Sequence, residues 1–512
     1  MTDLDARFVP VIVGVGEIKD RPDDPARGLE PVALMAVALR RAEADAGAAL
    51  LRRLDTLDVV NSVSWPYDDL AGLLGRGIGA GHALCRHGEI GGHTPVRFIQ
   101  EAAQRIARGD SRIAAICGGE ASHTATWAKR NHVALDWTKP AATPGAVEAE
   151  SWLPARNRDY LSPIARRHGI SEPVTVYPLY ENACQAAWGQ TPAQAAAESA
   201  DLWSRLAAVA AGNPNAWVRR AVTAEEVSAV TAQNRPIAWP YPKLMVANPA
   251  VNQGAAILLT SLAVARDAGI PDARLVHVHG GAAAAEPKDW MQRDSFVHAA
   301  GQEVVLDAVL RQVGGDVARF SFLELYSCFP VVPKMARRGL GLPERFEPSV
   351  AGGLTFHGAP LNNYMTHGAA AMVRALRKAP QALGLLYGQG GFLTAHYGLV
   401  LGSYPAEREE VRRPFDLQAE ADRRRGPAPP IVEDAAGEAS VETYTIVFRR
   451  DGEVAFGTVV LRLPNGCRTL ARVPAEDRVT LDRLMTPERS AIGLIGAISP
   501  GEDGLLAWSA SP

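Results

Sequence analysis

Gly91-Gly92-His93-Thr94-Pro95 stands directly ahead of Val96, Phe98, Ile99, Ala102, Ala103 and Ile106, apolar residues spaced to share one helical face. Thr94 suits the N-cap of that helix and Pro95 its first turn, which leaves Gly92 just ahead of it. Backbone N–H groups at such a helix start favour an anion or a polarised carbonyl oxygen. Three more glycine-punctuated stretches carry residue types that do chemistry. "LELYSCFP" (323–330) holds Tyr326 and Cys328. "GGLTFHGAPLNNYMTHGAA" (352–370) holds His357, Asn362, Asn363 and His367, and "YGQGGFLTAHYGL" (387–399) holds Gly388, Gly390, Gly391 and His396. A thiol with a histidine in reach is the pairing of acyl transfer, thiolate as nucleophile and imidazole as base.

The elements that must position these residues alternate. "FVPVIVGVGEIKD" reads as a short apolar strand ending at glycines, a helical pattern follows at about 30–52, and "TLDVVNSVSW" and "RIAAICGGEAS" read as further strands. Such alternation predicts a wound, mainly parallel α/β sheet. From about 126 to 245 the texture turns to Trp, Tyr, Pro and Ala-rich helical pieces, read as an inserted cap, and the alternation resumes until about 402. The expected division is 1–125 with 246–268 as an N-terminal half, 126–245 as the cap, 269–402 as a second half, 403–438 as a linker, and 439–512 as an added domain. The last has alternating strands with turn signals at Asp451-Gly452 and Asn465-Gly466, the pattern of a small OB-like β domain. Its arginines are balanced by acids and it lacks interleaved aromatics, which favours packing or docking over nucleic acid. "GVGE" after the first strand resembles half a dinucleotide fingerprint without its third glycine or acidic partner, and the Arg423-Arg424-Arg425 run reads as a solvated segment among acids.

In order and spacing, the four glycine-rich blocks with the "GGEAS" strand end resemble the active-site blocks of the thiolase superfamily over residues 8–402. The resemblance implies a thiolase fold of two similar α-β-α halves in a five-layered α-β-α-β-α core. It is nearest the sterol-carrier type, whose second block is matched by Tyr326-Ser327-Cys328-Phe329. With the added domain, it points to the thiolase-like protein type 1 group, acetyl-CoA acetyltransferase-like. The family's nucleophilic cysteine falls on Gly92, its Gly-His-Pro histidine on Ala359 and its second cysteine on Gly388, so all three catalytic side chains are replaced. The resemblance implies an acyl-CoA or acyl-carrier thioester as ligand. It implies either an acyltransferase with altered chemistry or an inactive homologue serving as acyl binder or partner subunit, as a homodimer or with another chain. Coenzyme A enters as a possible substrate, not a resident cofactor, and no metal is implied.

Each candidate has two readings. Cys328 is a relocated nucleophile served by His357, His367 or His396, or a buried structural thiol. Tyr326 polarises a carbonyl or is a core aromatic. Asn362 and Asn363 bind ligand or cap the next helix. His93 turns inward beside Gly92 as an ionisable group, while Thr94 serves as cap. Gly92, Thr94, Asn362, Asn363, Gly390 and Gly391 form the expected substrate wall. Glu120 matches a structural position, and His123 reads as a solvent-side loop residue.

Composition narrows the classes. The 53 basic and 56 acidic residues in 512 give a net charge of −3, which does not favour a polyanionic macromolecule such as nucleic acid. No apolar run reaches the roughly 20 residues of a membrane span, and the N-terminus lacks a basic start and apolar signal core, so the chain reads as cytoplasmic. Its five scattered cysteines form no C-x-x-C pair and read as reduced thiols.

Overall fold

Strand β1 (Pro10–Lys19) opens a nine-stranded sheet and is buried along almost its whole length. The structure is a computed structural model that describes residues 6–139, 160–406, 408–501 and 504–511. Helix α1 (Pro31–Ala46) lies directly on β1: a Cβ on Gly14 would stand 2.1 Å from the Ala42 carbonyl oxygen, and one on Gly16 2.0 Å from that of Ala38. The "GVG" of β1 therefore serves close helix-on-strand packing.

Strands β2 (Thr56–Val59) and β3 (Leu84–His87) follow, then helix α2 (Thr94–Arg108), β4 (Ile113–Ala121) and helix α3 (Ser122–Asn131). In α2 the residues read as one apolar face are buried, and Gly109 ends the helix at φ 85°, the left-handed conformation that glycine takes without a Cβ penalty. Between α3 and the next strand of this sheet lie helices α4 (Pro173–Ala187) and α5 (Pro192–Gly212) and the short strands β5 (Pro236–Ala238) and β6 (Tyr241–Pro242). Strand β7 (Asn252–Ser261) completes the first half. The second half runs β8 (Val276–Ala285), helix α6 (Ala300–Gln312), β9 (Phe320–Leu325), helix α7 (Tyr364–Leu376), β10 (Leu383–Gly390) and β11 (Ala395–Gly402).

The sheet order is β3-β2-β4-β7-β1-β8-β11-β10-β9, so each half contributes the same pattern outward from the β1–β8 seam. Helix α1 covers β1, β4 and β7 on one outer face, α6 covers β8 and β11 on the other, and α2 and α7 lie against each other between the halves. This is the expected five-layered core. The sheet is mixed, not mainly parallel: β7 runs antiparallel to both β1 and β4, and β10 and β11 form a hairpin. The short Gly391–Thr394 connection can only reverse the chain, since a parallel crossover needs a dozen residues or more.

The C-terminal strands β12 (Gly437–Phe448), β13 (Val454–Arg462), β14 (Arg468–Val473), β15 (Ile495–Pro500) and β16 (Leu506–Ala510) close in the order β12-β13-β14-β16-β15-β12. Strands β14 and β16 pair in parallel, and a short helix (Arg478–Leu484) follows β14. This is the five-stranded Greek-key closure of an OB fold. The described residues of the 403–438 stretch pack against both halves, with Arg412 donating to the Ala107 carbonyl of α2. Leu417 N–H donates to Ala283, and Arg425, in the run read as solvated, donates to the buried Glu286 carboxylate at 3.0 Å. A buried acid must be paired, which draws Arg425 out of solvent.

Candidate functional site

A cavity of about 450 Å³ opens where the start of α2, the 326–329 loop, the 354–362 loop and the end of β10 converge, roofed by the first turns of α4. Its walls are mainly apolar, with Val63, Ile90, Val174, Val246, Phe329 and Leu354 among them. Gly92, Tyr326, Cys328, Ala359, Asn362, Gly390 and Gly391 all line it. Gly388, Thr94, Asn363, His93, His357, His367 and His396 do not. Phe356, Tyr364 and Phe392 are buried elsewhere and leave the cavity open.

Gly92 and Tyr326 are complementary. A Cβ built on Gly92 would stand 2.2 Å from the Tyr326 hydroxyl oxygen and 2.4 Å from its Cζ. The phenol thus fills the space where a side chain at 92 would begin. Among the described residues neither the Tyr326 hydroxyl nor the Gly92 N–H has a hydrogen-bond partner, so both donors are available to a ligand. Burial and the neighbouring Cys328 raise the Tyr326 pKa, which keeps the phenol protonated.

Cys328 faces the cavity without a base. Its Sγ accepts from Gln389 Nε2 at 3.2 Å, the same Nε2 lies 2.6 Å from the Tyr177 hydroxyl, and that hydroxyl donates to the Gly391 carbonyl at 3.2 Å. Burial pushes the thiol up to about 12, so it stays protonated near neutral pH. A nucleophilic role needs the opposite shift.

The histidines expected as bases are engaged elsewhere. His357 and His367 are fully buried around Glu17 of β1: His367 Nδ1 lies 2.6 Å from Glu17 Oε1, and His357 Nε2 lies 3.6 Å from it. Arg374 and Asn215 hold the other carboxylate oxygen. Glu17, His357 and His367 are close enough to surround a cation, but Arg374 already supplies the balancing charge. His396 hydrogen-bonds the Tyr387 hydroxyl at 2.8 Å, and burial lowers its pKa to about 3. His93 turns away from Gly92 into a separate polar cleft, where it stacks on Tyr397 and lies 3.4 Å from Glu89 Oε1. Its ring takes the space beside Gly91 and Gly390, where a Cβ on either glycine would stand 2.4 Å and 2.1 Å from it.

The remaining candidates are structural. Thr94 is the first helical residue rather than the cap, and its hydroxyl donates back to the Glu89 carbonyl at 2.8 Å. Asn362 lines the cavity but spends its side-chain oxygen on the Gly91 N–H at 3.0 Å and its amide on the Asn61 carbonyl, fixing the loop that presents Gly92. Asn363 accepts from the Thr366 hydroxyl at the start of α7. Glu120 is buried and accepts from the Val63 and Ser64 N–H groups, and His123 lies against Trp217. Sequence reasoning missed Tyr177 and Gln389. Tyr177 sits in the cap with no motif around it, whereas Gln389 stands between the expected Gly388 and Gly390 and was within reach.

Comparison with known proteins agrees with this geometry. Residues 416–503 match the family described as thiolase-like protein type 1 additional C-terminal domain. None of the curated proteins matches. Among solved structures, a monomeric SCP2-thiolase-like protein type 1 from Mycobacterium smegmatis is similar over 99% of both chains, at 29% identity and a TM-score of 0.80. An Ltp2–ChsH2(DUF35) aldolase chain shares the fold at 20% identity and TM-score 0.55, over 78% of this chain and 98% of that one. Human mitochondrial 3-ketoacyl-CoA thiolase shares it at 13% identity and TM-score 0.56, over 78% of this chain and all 100% of that one. With its paired halves, its converging glycine blocks and a closed barrel where the type 1 additional domain matches, the chain belongs to the thiolase superfamily.

Proposed function

We propose that the cavity binds the acyl part of a thioester, carried by coenzyme A or an acyl carrier, and that Tyr326 meets its carbonyl where a thiolase would use a cysteine. The observation that carries this reading is the fit of the Tyr326 hydroxyl into the space beside Gly92, inside a mainly apolar cavity. A protonated phenol and the Gly92 N–H at the start of α2 form a two-donor pocket for an oxygen that gains negative charge. Such a pair stabilises an enolate or a tetrahedral oxyanion without a covalent acyl-enzyme. Chemistry of that kind makes or breaks a bond next to the thioester carbonyl, in a retro-Claisen or hydrolytic sense. That one structural neighbour of the same fold is an aldolase is compatible with such non-cysteine chemistry. Residues 126–245, of which 140–159 lie outside the described residues, act in this reading as the cap over the acyl group.

The experiment is intact-mass spectrometry and calorimetry with a panel of acyl-CoA and 3-ketoacyl-CoA thioesters. The expected result is saturable binding with no mass adduct, weakened severalfold by Tyr326→Phe. A covalent adduct on Cys328 overturns the reading and restores a relocated nucleophile.

A second reading is favoured by β3, an edge strand that among the described residues pairs with β2 alone and carries Leu84 at 64% exposure. An open edge strand suits a partner subunit or a second copy of this chain. On that reading the protein is an acyl binder serving another enzyme.

A further inference from the structure

A second cleft, of about 540 Å³, lies where the cap meets the added barrel. Four cations line it: Arg130 at the end of α3, Arg235 beside β5, Lys243 after β6, and Arg450 in the turn between β12 and β13. They come from separate stretches of the chain, and no carboxylate lines the cleft. Among the described residues the side chains of Arg130, Lys243 and Arg450 form no ion pair or hydrogen bond, and the Arg235 guanidinium donates only to the adjacent Pro236 carbonyl. In a chain of net charge −3, with many of its other arginines paired to acids, four converging cations without a counter-charge repel one another.

We propose that this cleft is a binding site for the phosphate groups of a small molecule, built jointly by the cap and the barrel. Three guanidinium groups suit the fork geometry of phosphate oxygens, and the lysine adds a point charge. The remaining lining, Gln233 with Ala232 and Ile237, offers no aromatic face. Single-stranded nucleic acid needs such faces for stacking, so the cleft fits a compact anion better than a polynucleotide. Arg450 belongs to the stretch matched as the additional C-terminal domain, so the two thiolase halves alone do not make this site.

A single turn of chain links the cleft to the first cavity. Lys243–Met245 is one 3-10 turn, and the next residue, Val246, lines the apolar cavity. At about 2 Å of rise per residue, Lys243 and Val246 are separated by roughly 6 Å along the chain. The phosphate can therefore belong to the ligand whose acyl end fills the cavity, or to a separate nucleotide.

The test is calorimetric titration of the full chain with inorganic pyrophosphate, ADP and a short single-stranded oligonucleotide, at two salt concentrations. Pyrophosphate and ADP are expected to bind with an affinity that falls as salt rises, and Arg450→Glu and Lys243→Glu are each expected to weaken it at least tenfold. Both side chains are exposed, so the melting temperature should stay unchanged. A thioester of coenzyme A that displaces pyrophosphate, while a phosphate-free pantetheine thioester does not, assigns the phosphate to the cavity's ligand. Simultaneous binding of pyrophosphate and the coenzyme A thioester assigns it to a separate molecule. No pyrophosphate binding at millimolar concentration, an unchanged affinity in Arg450→Glu, or tighter binding of the oligonucleotide than of ADP overturns the proposal. The readout is independent of the acyl reading, since pyrophosphate carries no acyl group.

Discussion

Replacing Gly92 by alanine tests the central geometry directly. The new methyl would stand 2.2 Å from the Tyr326 hydroxyl oxygen and 2.5 Å from Cε2, so the whole ring edge must move rather than one flexible atom. Gly92 is not among the glycines with positive φ, so the backbone accepts alanine and the cost falls on packing. Overpacking of this kind costs about 1–3 kcal/mol, and the neighbouring cavity gives the ring somewhere to go, which favours the lower part of that range. Truncating Tyr326 to alanine costs about 3–5 kcal/mol by cavity formation. In the double variant the methyl has no ring to displace and fills part of the vacated space. The two effects should then fall short of additivity by about 1–3 kcal/mol. The assay is urea unfolding of the four proteins followed by tryptophan fluorescence, with slopes compared so that midpoints report stability. Additivity to within about 0.5 kcal/mol would refute the contact between residues 92 and 326.

Three further outcomes are expected. Lys334 and Glu181 form a fully buried pair completed by Ser199 and Tyr241, so Glu181→Gln alone should cost about 3–5 kcal/mol, while Glu181→Gln with Lys334→Met should cost much less in the same unfolding assay. His396 is held near pKa 3 and His277 near 4 by burial, both below the value of about 6.5 in the unfolded chain. The unfolded state therefore binds protons more readily. Stability is fully present above pH about 6.5 and is lost as pH falls toward 3, and His396→Gln should flatten that loss in melting curves taken across the range. Thiol labelling of the native protein at pH 8 should modify the partly exposed Cys85 and Cys467 and spare Cys117, Cys184 and Cys328. Peptide mapping that finds Cys328 labelled first would contradict its raised pKa.

How much of this the sequence reveals follows from the range of each interaction. Helix α2 and its glycine stop are local, and the 3.6-residue spacing of Val96, Ile99, Ala103 and Ile106 foretells its buried face. The convergence of Gly92, Tyr326, Cys328 and Gly390 is legible through block order, because a family scaffold carries the long-range geometry. The fate of His357 and His367 is not, since their partner Glu17 lies about 350 positions away and carries no motif. Tyr177 escapes for the same reason. The barrel's strands can be read from alternation and turns, whereas its closure through the β14–β16 pair depends on contacts between strands that are not neighbours in sequence.

The barrel also reaches back into the roof of the cavity. Asn182 of α4 donates to the Tyr444 carbonyl at 2.9 Å, the Thr443 hydroxyl donates to the Leu179 carbonyl, and Val447 of β12 pairs with Ala238 of β5. During synthesis, α4 leaves the ribosome some 260 residues before the strand that anchors it. The roof is therefore pinned from two sides, by Lys334, Gly391 and Phe392 of the core and by a barrel strand made later, so the barrel completes an anchorage that the core begins.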